Sequence, residues 1–207
     1  MSSPPLFPLF LKLAGRPCLV VGAGRVAEQK IQGLVVCGAR VTVVAPGATA
    51  AIQELADCGS IAWHRKNFAA EDLNGIFLAV AATSSADVNH AVYQASSQRG
   101  ILCNVVDDPP YCDFFYPAIV RRGHFQIAIS TGGHSPALAQ RIRKELEQQF
   151  PPIYGEWLEN LGQERAKLFS EVRDPELRRT LIHQSAEAES FARFAQGRTA
   201  AAGKDSL

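Results

Sequence analysis

The stretch CLVVGAGRVAEQKIQGLVVCGA, residues 18–39, decides how this chain folds. Leu19, Val20 and Val21 form a short continuous apolar run, as expected of a strand buried on both faces of a parallel sheet. Gly22, Gly24 and Ala27 follow with the spacing G-x-G-x-x-A. Gly22 lets the chain turn sharply out of the strand, Gly24 removes the side chain that would keep a pyrophosphate off the backbone, and Ala27 lets a helix lie close to the sheet. Val26, Ile31, Leu34 and Val35 then mark one face of that helix, which stops at Gly38. Its N-terminus, with unpaired N–H groups and a partial positive charge, suits phosphates. Glycines also serve ordinary turns, but a strand precedes this one, a helix follows it, and residues 41–44 supply a second strand. The spacing of Gly22, Gly24 and Ala27 therefore predicts a dinucleotide site.

The alternation continues downstream. Residues 40–45 read as the second strand, 48–58 as a weak helix, 61–64 as a third strand and 76–82 as a strongly apolar fourth. Residues 86–98 read as a helix and 101–106 as a fifth strand, so the fold class is α/β, a Rossmann-type parallel sheet with its ligand at the carboxyl ends of the strands. Where many dinucleotide folds place an acidic residue on the adenosine ribose, this chain has Ala45-Pro46. The loop of residues 46–51 holds no Arg or Lys to meet a ribose phosphate, which favours NAD over NADP. Thr83, just past the fourth strand, is placed to reach the cofactor's ribose or nicotinamide end; the plainer use, a helix N-cap hydroxyl, suits Ser84 or Ser85 equally and Thr83 less well.

A net charge of +1 gives no reason to expect attraction to nucleic acid or anionic membranes. The five cysteines are odd in number, widely spaced and without a C-x-x-C pair, as in a reduced cytoplasmic protein with buried thiols. No two histidines have i, i+4 spacing, so no metal centre is expected. The opening residues, apolar but interrupted by prolines and without a preceding charged region, read as a short strand beside the sheet rather than a signal peptide or membrane span.

At Asp107 the pattern changes. Residues 104–117, NVVDDPPYCDFFYP, break the strand–helix repeat, and a domain boundary is expected near Cys112. Asp107 sits where the fifth strand ends, in the crevice that would receive a nicotinamide ring, where a carboxylate can take a proton as hydride leaves the same substrate. The plainer use of Asp107 or Asp108 is to cap the turn before Pro109-Pro110. Short apolar runs at 118–121 and 124–130 around Arg122-Gly123 predict a β-hairpin. Ser135 as N-cap and Pro136 at the first helical position then open a helix to about Phe150 with Leu138, Ala139, Ile142 and Leu146 on its apolar face. Helical spacing continues to about Gln196, and the small, polar remainder is expected to be disordered. Arg121, Arg122 and His124 form one basic cluster and Arg141, Arg143 and Lys144 another, each of which also suits a solvated face; the N–H groups of the Thr131-Gly132-Gly133 turn make a carboxylate or phosphate site.

The assembled motifs resemble the precorrin-2 dehydrogenase family, the unit that also forms the N-terminal part of sirohaem synthases. LVVGAGRVAEQK with GARVTVVAP, LAVAATSSADVN, CNVVDDP with FFYPAIVRRG, and ISTGGHSPALAQRIRKELE carry the likeness, over residues 8–160. It implies NAD-dependent oxidation of precorrin-2, a tetrapyrrole with eight carboxylate arms, to sirohydrochlorin by a homodimer, with Asp107 as the catalytic residue. It places Gly22, Ala23, Gly24, Arg25, Val26, Ala45, Pro46 and Thr83 with the cofactor. Asn104, Arg121, Thr131, Gly132, Gly133, Ser135 and Arg141 fall to the substrate. Some members also insert iron or cobalt with the same aspartate. Ser130-Thr131 departs from the Ser-Ser of some relatives, and no methyltransferase domain follows, so that methylation is expected on another chain. The implied organisation is a dinucleotide domain at 1–112, a dimerisation and substrate-binding region at 113–150, a helical domain at 151–197 and a tail at 198–207. A non-enzymatic NAD-sensing module is the alternative; it needs neither a base at the fifth strand nor a polyanion site after it. A tetrapyrrole carrier without turnover is a third reading.

Overall fold

The computed structural model describes residues 5–202, with side chains to residue 198. Contacts divide the chain between Tyr116 and Pro117 into two compact units.

In the first unit, strands β1 (Pro17–Val21), β2 (Arg40–Val44), β3 (Ala62–His64), β4 (Leu78–Ala81) and β5 (Leu102–Val105) form one parallel sheet in the order β3-β2-β1-β4-β5. Helices α1 (Arg25–Val36), α2 (Ala50–Asp57) and α3 (Ala86–Ser97) make the crossovers. The strand order reverses between β1 and β4, where an open α/β sheet leaves a crevice beyond its strand ends. Two apolar layers flank the sheet. Val20, Val43 and Val80 pack with Ala27, Ile31, Leu34 and Ile52 on one side, and Leu19, Val21, Ala79 and Ala81 with Leu73, Val92 and Cys103 on the other. Burial on both faces explains why these strands read as continuous apolar runs.

Two expectations are corrected here. Val26 is not on the core face of α1: Ala27, Ile31 and Leu34 are buried at i, i+4 and i+7, whereas Val26 is 49% exposed. It lies five residues before Ile31, about 140° away around the helix at 100° per residue. Among the described residues, the N-terminal segment before β1 forms no strand. Residues 5–13 carry no regular element, and Leu6, Phe7, Leu9 and Phe10 are exposed. Pro5 and Pro8 have no N–H to give a ladder. Only Leu13 enters the core.

The second unit contains the antiparallel hairpin of β6 (Ala118–Arg122) and β7 (Phe125–Ile129), then α4 (Pro136–Gln149), α5 (Ile153–Glu171), α6 (Pro175–Ser185) and α7 (Ala188–Ala202). Hairpin and helices are one body, where the sequence reading separates residues 113–150 from 151–197. Arg122 joins them by donating to the carbonyls of Phe150 (2.9 Å) and Glu147 (3.3 Å), which caps the end of α4. Gly155 of α5 lies so close to β6 that a Cβ there would stand 2.9 Å from the Arg122 carbonyl oxygen. Phe125, Phe150, Tyr154, Trp157 and Phe191 stack edge and face between hairpin and helices. The tail expectation is also corrected: α7 continues through Gly197 to Ala202, carried by the alanine-rich end of the sequence. The remaining residues, 203–207, lie outside those described.

Candidate functional site

Four loops gather at the carboxyl ends of β1, β2, β4 and β5. The loop after β1 is shaped by Gly22, which has φ +107° and sits where a Cβ would be 2.3 Å from the Ala82 carbonyl oxygen. Close approach to the end of β4, as much as the turn itself, demands glycine. Gly24 is different: its φ of −88° suits any residue, and nothing lies within 4 Å of a Cβ there. It opens α1 with no side-chain cap, so the first N–H groups of the helix stand free beside an open space. Ala23 is buried, while Gly24, Arg25 and Val26 are exposed. An anion fits this cradle in both shape and charge.

The loop after β2 is tied to the first. Thr49 N–H donates to the Ala23 carbonyl (3.1 Å), and Trp63 Nε1 donates to the Ala45 carbonyl (3.0 Å). Ala45 is buried and Pro46 exposed, so a sugar here would meet Pro46 and backbone rather than a carboxylate. Thr49 Oγ1, which the sequence reading passed over, is buried without a partner.

After β4, Thr83 donates its hydroxyl to Asn89 Oδ1 (2.7 Å), and Asn89 Nδ2 returns a bond to the Thr83 carbonyl (3.1 Å). The cap of α3 is Ser85, whose Oγ accepts from Val88 N–H. Thr83 is thus held in place by a nearly buried amide, and its Oγ1 also accepts from Ser85 N–H (3.2 Å), which leaves one acceptor lone pair.

After β5, Asp107 is exposed in the left-handed region at φ 60°, the one non-glycine residue there among those described. Asp108 is bonded to His90, Oδ2 to Nε2 at 2.8 Å. Lys30, half-buried on α1, lays its ammonium 3.8 Å from the Tyr116 ring centroid. Burial pulls Lys30 below its usual 10.5, against the opposing effect of the charges on Asp107 and Cys112. The Cys112 thiol is pushed up by burial and lies 3.0 Å from the Val105 carbonyl oxygen. Lys30, His90 and Cys112 complete the neighbourhood of Asp107, and only their three-dimensional placement shows it.

Asn104 does not reach outward as a substrate contact would. It is buried, and its amide donates to the Phe114 carbonyl (2.8 Å) and to Cys112 Sγ (3.3 Å), closing the turn.

In the second unit, Arg121 is half-buried on β6 and Arg141 is exposed on α4 with a 3.5 Å contact to Glu145. Arg122 and Arg143 are engaged, one with α4 carbonyls and the other with Glu147 and Gln140. The turn before α4 satisfies most of its own donors. Gly132 N–H bonds Ser130 Oγ (3.1 Å), His134 N–H the Thr131 carbonyl (3.0 Å) and Ser135 N–H Thr131 Oγ1 (3.2 Å). Ser135 caps α4 through Leu138 N–H (3.2 Å). Gly133 retains an N–H for a ligand. No grouping of three or more potential metal ligands occurs among the described residues, and no described helix is long and apolar enough to cross a membrane.

Comparison with known proteins gives a consistent picture. Residues 9–118 match a family described as NAD(P)-binding, and residues 122–149 match one described as the central part of sirohaem biosynthesis proteins. The siroheme synthase of Methylococcus capsulatus is 41% identical over 191 residues, covering 92% of this chain and 40% of that protein. Siroheme synthase 3 of Aeromonas hydrophila is 45% identical over 148 residues, 72% of this chain and 32% of that protein. The chain therefore spans well under half the length of these curated relatives. The solved structure of SirC, a precorrin-2 dehydrogenase, superimposes with a TM-score of 0.78 at 29% identity, covering 93% of this chain and 98% of that one.

Proposed function

The chain belongs to the NAD(P)-binding family of sirohaem biosynthesis proteins, and from that premise we propose that it catalyses NAD-dependent dehydrogenation of precorrin-2 to sirohydrochlorin. One observation carries the reading. A helix that starts at glycine without a cap and a carboxylate at a strand end occupy the same edge of the sheet. The N–H groups from Ala23 to Val26 would hold the pyrophosphate, with Ala45, Pro46 and Thr83 beside the sugars. NAD is favoured over NADP because the loop of residues 46–51 has no cation. Bound NAD supplies the hydride acceptor. Asp107 takes the proton that leaves precorrin-2 as the hydride departs, so the substrate loses both hydrogens of the new double bond. Arg121, Arg141 and the Gly133 N–H meet substrate carboxylates.

The second unit works as a homodimer in this reading. Among its described apolar side chains only Ala118, Val120 and Ala139 are buried, and its sheet has two strands, which is marginal in water. A second copy would cover the half-exposed remainder. The free thiols fit the cytoplasm.

Anaerobic incubation with enzymatically made precorrin-2 and NAD tests the reaction. NADH and sirohydrochlorin should rise together in equal amounts. NAD binding without turnover would refute the dehydrogenase and leave the sensing module. Light scattering at micromolar concentration should return the mass of two chains; a monomer would refute the assembly.

A further inference from the structure

Asp107 makes no side-chain hydrogen bond of its own among the described residues, yet its backbone is held in a conformation that non-glycine residues seldom adopt. Aspartate tolerates it better than most residues, and the neighbours decide how firmly the turn is held. The neighbours grip the turn from two directions. From within the loop, Cys112 Sγ lies 3.0 Å from the Val105 carbonyl and 3.3 Å from the Asp108 carbonyl, and Asn104 pins Cys112. From outside it, one residue of α3 does the work. His90 Nε2 bonds Asp108 Oδ2 at 2.8 Å, and its ring stacks on Tyr111 with centroids 4.0 Å apart and planes at 27°. Tyr93, one helical turn on, meets Tyr111 edge-on at 5.3 Å. His90 therefore holds both ends of the short 3-10 segment Pro109–Tyr111, anchoring the residue beside Asp107 to a helix packed on the sheet.

We propose that His90 is a positioning residue for the base. Through Asp108 and Tyr111 it fixes the turn that presents the Asp107 carboxylate, and so sets the rate of proton removal from the substrate. The inference rests on the dehydrogenase reading given above. An Nε2–H donor is present both in the Nε2 tautomer of neutral imidazole and in imidazolium, so the bond does not require a charged histidine. A carboxylate on a loop free to wander by an ångström loses much of its effectiveness as a base while cofactor affinity is untouched.

The experiment compares the full-length parent with His90→Ala, His90→Gln and Asp108→Ala, reading steady-state turnover and hydrogen–deuterium exchange of the peptide spanning residues 103–113. His90→Ala should lower kcat by roughly 10-fold with the KM for NAD unchanged, and speed exchange in that peptide. His90→Gln places an amide N–H where the ring Nε2–H stood and should recover the part of both that the bond to Asp108 supplies. Asp108→Ala, which leaves the His90–Tyr111 stack in place, should lose part of what His90→Ala loses, and the double variant should add nothing beyond His90→Ala. If His90→Ala misfolds, Asp108→Ala alone carries the test. Parent-like exchange and kcat in Asp108→Ala, or failure of His90→Gln to recover any of what His90→Ala loses, would overturn the proposal. A parent that never turns over precorrin-2 overturns the reaction instead, and the exchange rates still decide whether His90 holds the turn.

Discussion

Gly24→Asp separates the two jobs of the glycine loop. Gly24 is the N-cap of α1, with φ −88° and ψ −176°, and no side chain caps the helix. Asp is a favoured residue at such a position, worth a few tenths of a kcal/mol over Gly, and a negative charge at a helix N-terminus adds about 0.3–1 kcal/mol. Nothing lies within 4 Å of the new Cβ. The variant should therefore be more stable by about 0.5–1 kcal/mol, a rise in Tm of roughly 1–4 °C for a chain of this size. Its carboxylate then occupies the place proposed for the pyrophosphate. NAD at 100 times its Kd stabilises a one-site protein by about 2.7 kcal/mol, or roughly 5–10 °C here, and that increment should vanish. Thermal unfolding by circular dichroism with and without NAD measures both numbers. The control is Gly22→Ala, where a Cβ would lie 2.3 Å from the Ala82 carbonyl oxygen at φ +107°. Backbone strain and overpacking together should cost about 2–5 kcal/mol. An Asp variant that NAD stabilises as much as the parent would refute the placement of the phosphates; one that melts below the parent would refute the cap geometry.

Asp107→Asn keeps a residue that tolerates φ 60°, so it should fold and bind NAD as the parent does while losing turnover by roughly 100-fold or more; turnover within tenfold of the parent would make Asp107 a turn residue. Burial pushes the Cys103 thiol up to about 12 and the Cys18 thiol to about 11, whereas hydrogen bonding from Ser60 lowers that of exposed Cys58. Iodoacetamide at pH 8 should therefore modify Cys58 first and reach Cys18 and Cys103 only on unfolding, as mass spectrometry of the peptides will show. Burial raises the Asp72 carboxyl, but bonds from Lys66 Nζ (2.6 Å) and Ala69 N–H (2.9 Å) outweigh it and hold the group below its usual 3.8. A depressed carboxylate stabilises the fold above its unfolded pKa and loses that contribution as pH falls through the folded value. Asp72→Asn should thus cost about 1 kcal/mol at pH 7, with the gap to the parent closing below about pH 3.8 in acid unfolding curves.

The parallel sheet was legible because burial on both faces leaves unbroken apolar runs such as residues 19–21 and 78–81, and the crossovers were legible from glycine and proline punctuation. Ser135-Pro136 announced the start of α4 for the same kind of reason: a cap acts over three residues, and its partner, Leu138, is in view. Arg122 shows the limit. It reads as part of a cationic cluster with Arg121 and His124, and in the fold its guanidinium serves carbonyls at the end of a helix 25–28 residues away.

By itself the sequence determined the strand–helix alternation, the glycine cradle and the position of Asp107 at a strand end, because each depends on spacing along the chain. Only the tertiary structure decided that Gly22 is required by Ala82, that Asn104 faces inward, that Thr83 is held by Asn89, and that His90 reaches Asp108 across 18 residues. Periodicity reports which face of an element is buried. The partner a polar side chain finds is set by how elements pack, and chain distance carries no trace of it.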